Sequence, residues 1–253
     1  MTKDTRISDK LNAYLTELRL PAVKSHYQDL AQQAINNELT YEQYLYDLME
    51  IEYEQRWNNR ISRNLKQSDL DLDKTLELFD MKRIPMKVRQ QFQTLLSGDF
   101  LHHATNVLAF GLPGTGKTHL LSALGHELTK KGFKILFYTT AKLVELLLTA
   151  KKQLELAKFI KKLSKFDAIL IDDIGYVKQS RDEMEVLFTL LAERYETGSV
   201  LITSNLPFSK WDQIFHDPMT TAAAIDRVVH HSVILELNIS SYRMEEAKTK
   251  KDS

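Results

Sequence analysis

The 253-residue chain contains no cysteine. That excludes disulfides, thiolate zinc sites, iron–sulfur clusters and cysteine nucleophiles, and it fits a reducing compartment. An excess of one charge is missing too: lysine plus arginine and aspartate plus glutamate both number 34. Any affinity for nucleic acid must then come from local patches rather than from a global field. No apolar run approaches the roughly 18 residues that span a bilayer. The opening "MTKDTRISDK" lacks the apolar stretch of a signal peptide. Repeats and low-complexity tracts are absent as well. These absences describe a soluble, cytoplasmic protein, and an apolar content of 43% is enough to bury a core.

What is present divides in two. Residues 7–67 read as helical throughout, interrupted at Leu20-Pro21, where proline favours a new start. Thr40 is a fitting N-cap, and Tyr41, Tyr44, Leu45 and Leu48 then recur at the spacing of one buried helical face. Trp57, Ile61 and Leu65 carry a similar face onward. Aromatics at such spacing read as core rather than as platforms for bases. The polar "KQSDLDLDK", residues 66–74, is a boundary. It separates a small helical N-terminal domain, 1–68, from a second domain, 69–253. In the latter a helix is expected over 86–96, after which short apolar runs alternate with helical stretches. "NVLAF" (106–110), "KILFY" (134–138), "DAILI" (167–171), "SVLIT" (199–203) and "SVILEL" (232–237) predict buried strands. Residues 118–130, 140–164, 181–197 and 208–230 predict the helices between and after them. Alternation of this kind gives an α/β fold, a mostly parallel sheet covered on both faces.

Three short stretches carry chemistry. "GLPGTGKTH", residues 111–119, has the spacing G-x-x-x-x-G-K-T between an apolar run and an amphipathic one. In that strand–loop–helix setting the loop of Gly111, Leu112, Pro113, Gly114, Thr115, Gly116, Lys117, Thr118 and His119 wraps phosphate oxygens. Lys117 would reach the β- and γ-phosphates, and Thr118 would offer a hydroxyl to Mg²⁺. "FDAILIDDIGY", 166–176, ends a strand in two carboxylates at the sheet edge where such folds bind ligands. Asp172 suits the metal role, and Asp173 would orient or deprotonate an attacking water. "LITSNLPFSKW", 201–211, delivers the neutral amide of Asn205 after a third strand, able to hold a water without adding charge.

Together with "ERYETGSVLITSNLPFSKW", "AIDRVVH" and "SYR", in this order and spacing, these stretches resemble the AAA+ ATPases, and closely the IstB/DnaC branch, over nearly the whole chain. The resemblance implies ATP and Mg²⁺ as cofactors. It implies Walker A roles for Lys117 and Thr118, the Walker B metal role for Asp172, and sensor 1 for Asn205. Arg227 matches the arginine finger, which serves a neighbouring subunit's nucleotide, and Arg243 matches sensor 2. Many AAA+ proteins have glutamate where this chain has Asp173. Arginine suits both finger and sensor because it stays charged and binds phosphate through a planar fork. Arg194, in "ERYETGS", reads as structural. Ten residues follow Arg243, so an ATPase core without a C-terminal lid is expected.

Between Ala141 and Lys165 stand seven lysines against two glutamates. On one continuous helix, Lys151, Lys158, Lys161, Lys162 and Lys165 share a side, opposite Leu156, Phe159, Ile160 and Leu163. The position is similar to the extra helix of initiator-type AAA+ proteins, which implies binding along a DNA backbone. Lysine-to-phosphate contacts give affinity without sequence information. Lys82, Arg83, Lys87 and Arg89, and the lysine-rich tail at 248–251, are secondary candidates for that footprint. The pairs His102-His103 and His230-His231 do not suggest a metal, since adjacent ring nitrogens rarely chelate one ion. The resulting expectation is an ATP-dependent regulator of transposition that oligomerises on duplex DNA, independently of sequence, and contacts a transposase. A loader of a replicative helicase on single strands, a binding module that uses ATP as glue, and a small-molecule kinase are the alternatives.

Overall fold

The computed structural model describes residues 3–175, 180–211 and 218–242. The chain forms two compact units, residues 1–63 and 64–253.

The first unit consists of helices α1 (Lys3–Glu17), α2 (Pro21–Asn36) and most of α3 (Tyr41–Ser68). Proline opens α2 because its missing N–H is no loss in a first turn. Thr40 does cap α3, its Oγ1 accepting the Gln43 N–H at 3.2 Å. The buried face differs from expectation. Leu48 is buried with Leu15 and Val23, and Tyr44 packs beside them, but Tyr41 is 95% and Leu45 57% exposed. A core this small buries one narrow strip of α3, and the strip runs Tyr44, Leu48, Glu52 at four-residue steps. Glu52 ends the strip with a charge. Its Oε2 accepts the Ala22 and Val23 N–H groups at 2.9 and 3.3 Å, capping α2 from α3 where Leu20 offers no side-chain cap. Arg56 Nε lies 2.8 Å from Oε1.

In the second unit five parallel strands lie in the order β2-β3-β4-β1-β5: β1 (Asn106–Phe110), β2 (Ile135–Thr139), β3 (Ala168–Ile174), β4 (Ser199–Ser204) and β5 (Ser232–Glu236). Strand alternation divides the apolar residues between two faces. Val107, Ala109, Leu170 and Leu201 pack with α4 (Met86–Leu95) and α6 (Lys117–Lys130). Leu108, Ile169, Ile171, Val200 and Ile202 pack with α7 (Thr140–Lys152), α8 (Leu156–Leu163), α9 (Arg181–Arg194) and α10 (Pro218–Val229). A one-turn α5 (Asp99–His102) leads into β1.

One helix expected from the sequence is broken. The stretch 140–164 stops at Leu154, whose φ is 59°, while the Glu155 N–H reaches back to the Ala150 carbonyl at 2.8 Å. This is a glycine-type helix ending made without glycine. Ala104, Arg19 and Glu38 close other helices in the same way. Within 208–230 the described residues include a short 3₁₀ turn, Phe208–Lys210, where an α-helix is expected, and α10. Arg194 is structural: its buried guanidinium donates to the carbonyls of Leu163, Phe166, Asp167 and Ser199 at 2.9–3.3 Å. Desolvation pulls its pKa down to about 10, so it stays charged at neutral pH.

Burial works against the charge of Glu52, but the Arg56 hydrogen bond and two backbone donors outweigh it and hold the carboxyl below its ordinary 4.5. A lowered folded pKa contributes stability that is present above the unfolded value and lost as pH falls through the folded one. Glu52→Ala is therefore expected to cost about 1–2 kcal/mol. Hydrogen exchange of the α2 amides in the full chain should show roughly fivefold to thirtyfold less protection at pH 7, without the acid-dependent loss expected of the parent.

Candidate nucleotide site and cationic groove

All the strands being parallel, the C-terminal ends of β1, β3 and β4 meet at one edge. β1 passes there into the phosphate loop. A side chain at Gly111 would meet the Leu237 carbonyl at 2.7 Å and Thr115 Oγ1 at 2.8 Å. Gly114 and Gly116 have φ of 82° and 91°, backbone that β-carbons resist. Gly116 also faces the Phe79 ring, 3.0 Å from where a β-carbon would stand. Thr115 Oγ1 ties the loop by donating to the Leu112 carbonyl at 2.9 Å. Buried Lys117 extends Nζ to the carbonyls of Gly111 and Leu112 at 2.9 and 3.0 Å, inside the loop. Leu112 and Pro113 are exposed at its crest.

Thr118, in the first turn of α6, donates from Oγ1 to Asp172 Oδ1 at 2.8 Å, so hydroxyl and carboxylate converge as expected. β3 ends irregularly beside them. Ile171 pairs with Ile202 of β4, but Ile174 pairs with Ser204, so three residues of β3 advance against two of β4. Asp173, inside this bulge, is exposed with φ 65°. Because Phe110 pairs with Ser204, Asn205 follows at the level of Gly111. Its Oδ1 is buried without a hydrogen-bond partner among the described residues.

The cleft around the loop, of about 520 Å³, has walls that sequence reasoning missed. One is the irregular segment between α3 and α4, which supplies Asp73, Lys74, Leu78, Phe79 and Arg83. It is held to α6 by two histidines, His119 Nε2 donating to the Thr75 carbonyl at 2.8 Å and His126 Nε2 to that of Asp71 at 2.9 Å. The expected loop residue His119 thus lines the cleft with its ring turned to this segment. The other wall is Ile239 and Tyr242. Tyr242 donates its N–H to the Gly114 carbonyl at 2.9 Å, and its ring lies 4.9 Å from the Arg83 guanidinium. Arg83, a secondary DNA candidate from sequence, therefore belongs to the nucleotide cleft. No local pattern marks these residues, since they come from opposite ends of the domain.

Arg227, on α10, does not line this cleft. Its guanidinium lies 4.9 Å over the Phe188 ring of α9, with Nη1 buried and lacking a hydrogen-bond partner among the described residues. Arg243 and the 248–251 tail lie outside the described residues. The break at Leu154 divides the lysine set. Lys158, Lys161, Lys162 and Lys165 line a groove of about 560 Å³ with Leu146, Thr149 and Phe159. Lys151 instead meets Glu185 and Asp182 of α9 at 2.9 and 4.0 Å. Lys158 also pairs with Glu155, one turn earlier, at 2.9 Å.

A glycine cradle at a helix N-terminus, a lysine within it, and a hydroxyl beside a carboxylate form a site for a nucleotide phosphate chain. The paired hard-oxygen donors of Thr118 and Asp172 fit Mg²⁺. On this sheet they define a P-loop ATPase of the AAA+ class. Solved structures agree on the fold: AMPPCP-bound DnaA from Aquifex aeolicus (TM-score 0.57, 19% identity, 73% of this chain and 56% of that one) and the DnaC helicase loader (0.58, 18%, 67% and 98%). The chain itself belongs to the IstB-like ATP binding protein family, whose profile matches residues 13–251. It is similar to an insertion sequence ATP-binding protein of Sinorhizobium fredii, 40% identical over 94% of this chain and 80% of that protein. An insertion sequence IS21 ATP-binding protein of Pseudomonas aeruginosa is 34% identical over 94% and 90%.

Asparagine tolerates left-handed backbone as aspartate does, so Asp173→Asn tests chemistry apart from shape. It should bind ATP within about twofold of the parent and lose 10²–10⁴-fold in turnover, roughly the contribution of a general base. Titration with a fluorescent ATP analogue and a phosphate-release assay would check both.

Proposed function

We propose that this ATPase binds duplex DNA without regard to sequence, assembles on it in the ATP state, and so acts as the helper of a transposase. The observation that carries the DNA reading is the groove beside α8, which four lysines line against one carboxylate, Glu155. Point charges on flexible stems suit phosphates, whose contacts give affinity and position but no sequence preference. The kinship with insertion sequence ATP-binding proteins supports transposition as the setting.

At the nucleotide, Lys117 would hold the β- and γ-phosphates, and Thr118 with Asp172 would hold Mg²⁺. Bound there, Mg²⁺ neutralises charge on the phosphate oxygens. Asp173 would accept a proton from the attacking water, and Asn205 would orient that water without adding charge. Arg227 would serve the nucleotide of a neighbouring copy. Its place away from its own chain's cleft supports that role, which makes turnover depend on assembly. Arg243 would complete the phosphate contacts as sensor 2.

Light-scattering mass should rise when ATP and duplex DNA are both present, and much less with ADP or with single strands. A preference for single strands would favour a helicase-loading role instead. Arg227→Ala should keep nucleotide binding but lose assembly-dependent turnover by 10³-fold or more. The double reversal Lys158→Glu/Lys162→Glu should leave the melting temperature within a few degrees and abolish DNA binding at 150 mM salt, measured by fluorescence anisotropy. Unchanged DNA affinity in that variant would refute the groove assignment.

A further inference from the structure

Asp172 and Asp173 are consecutive in β3, and a regular strand would send neighbouring side chains to opposite faces. At these residues β3 leaves regular pairing, with a left-handed residue at Asp173. One side chain holds both halves of the irregularity. Thr203 Oγ1, on β4, accepts the Asp173 N–H at 2.7 Å and donates to Asp172 Oδ1 at 2.6 Å. Thr203 is 1% exposed. A hydroxyl has one proton to give, and a carboxylate acceptor makes the second bond a strong, charge-assisted one. Asp172 Oδ1 thus receives two hydroxyls, from Thr118 and Thr203. The next residue extends the clamp: Ser204 Oγ has its one proton to share between the Ile174 carbonyl at 3.0 Å, beyond the bulge, and the Leu206 carbonyl at 2.9 Å, and it accepts the Leu206 N–H at 3.1 Å. Asn205 sits between Ser204 and Leu206.

We propose that Thr203 is a positioning residue of the ATPase reaction, whose hydroxyl aims the Asp172 carboxylate and fixes Asp173 in its turn. Through it the Asp172 carboxylate and the Asp173 backbone are both tied to the strand that leads to Asn205. The inference rests on the metal role given above to Asp172 and the base role given to Asp173. It adds a residue that reads, from sequence, as an ordinary β-branched filler of a buried strand.

Thr203→Val keeps the branched shape and removes the hydroxyl, while Thr203→Ser keeps the hydroxyl and removes the methyl. Binding of a fluorescent ATP analogue is measured in EDTA and across a Mg²⁺ titration, with kcat and KM for ATP at saturating Mg²⁺. In Thr203→Val, affinity in EDTA should stay within about twofold of the parent. The Mg²⁺ midpoint should rise and kcat fall by about 10–100-fold, the usual effect of losing a partner that orients a metal ligand. KM should move less than about threefold, and Thr203→Ser should restore both midpoint and kcat. Should the valine variant fail to fold, Thr203→Ala carries the same comparison. A parental Mg²⁺ midpoint and kcat in the valine variant, or a serine variant as impaired as valine, overturns the inference alone. Parent protein whose nucleotide binding ignores Mg²⁺ overturns the metal role of Asp172, and this inference with it.

Discussion

The parallel pairing of β1 between β4 and β5, with β3 beyond β4, is the constraint on which the rest depends. It brings the ends of three strands to one edge, so residues about sixty and ninety positions beyond the loop come to lie beside it. Lys117, Thr118, Asp172 and Asn205 all leave from that edge or from the loop that β1 enters. A register slip of one residue would exchange the faces of a strand, sending Leu170 and Ile171 each into the other's core and moving Asp172 away from Thr118. The apolar partition between the two faces of the sheet therefore fixes the active edge as firmly as it fixes the core.

Against this background the β3 bulge is a controlled defect. Regular pairing suffices to bring Asp172 to Thr118. The extra residue instead takes Asp173 out of the regular ladder, in a left-handed conformation tied to Thr203 through its backbone N–H. The accompanying strain is modest because aspartate is among the residues that tolerate left-handed backbone, and it is countered by hydrogen bonds from the neighbouring strand. Stability and chemistry meet at Thr203: the contact that completes the sheet ladder also arranges the acids.

Much of this was readable from the residues. The run Asn106–Phe110 matches β1 to the residue, because a short apolar stretch ending at a glycine has few other uses. The loop with Lys117 and Thr118, and the convergence of Thr118 with Asp172, followed from motif and order. Other features were hidden for physical reasons. Leu154 ends a helix in a conformation usually left to glycine, and no breaker residue announces it. Tyr41 and Leu45 have the right spacing for a core, but the N-terminal unit has too little partner surface to cover them. Arg83 looked like part of a basic patch until a ring from the far end of the domain was found beneath it.

That last pairing bears on how the protein comes into being. The cleft is closed on one side by residues made before the first strand and on the other by Tyr242, made after the last. During synthesis the phosphate loop is finished long before its second wall leaves the ribosome. A full-strength nucleotide site is thus a property of the completed domain, and a nascent or truncated chain holds its ligand with one wall missing. Since a ligand that binds only the native form stabilises it by mass action, cellular ATP becomes a late-acting brace on the fold. It acts at full strength once both ends of the domain are in place.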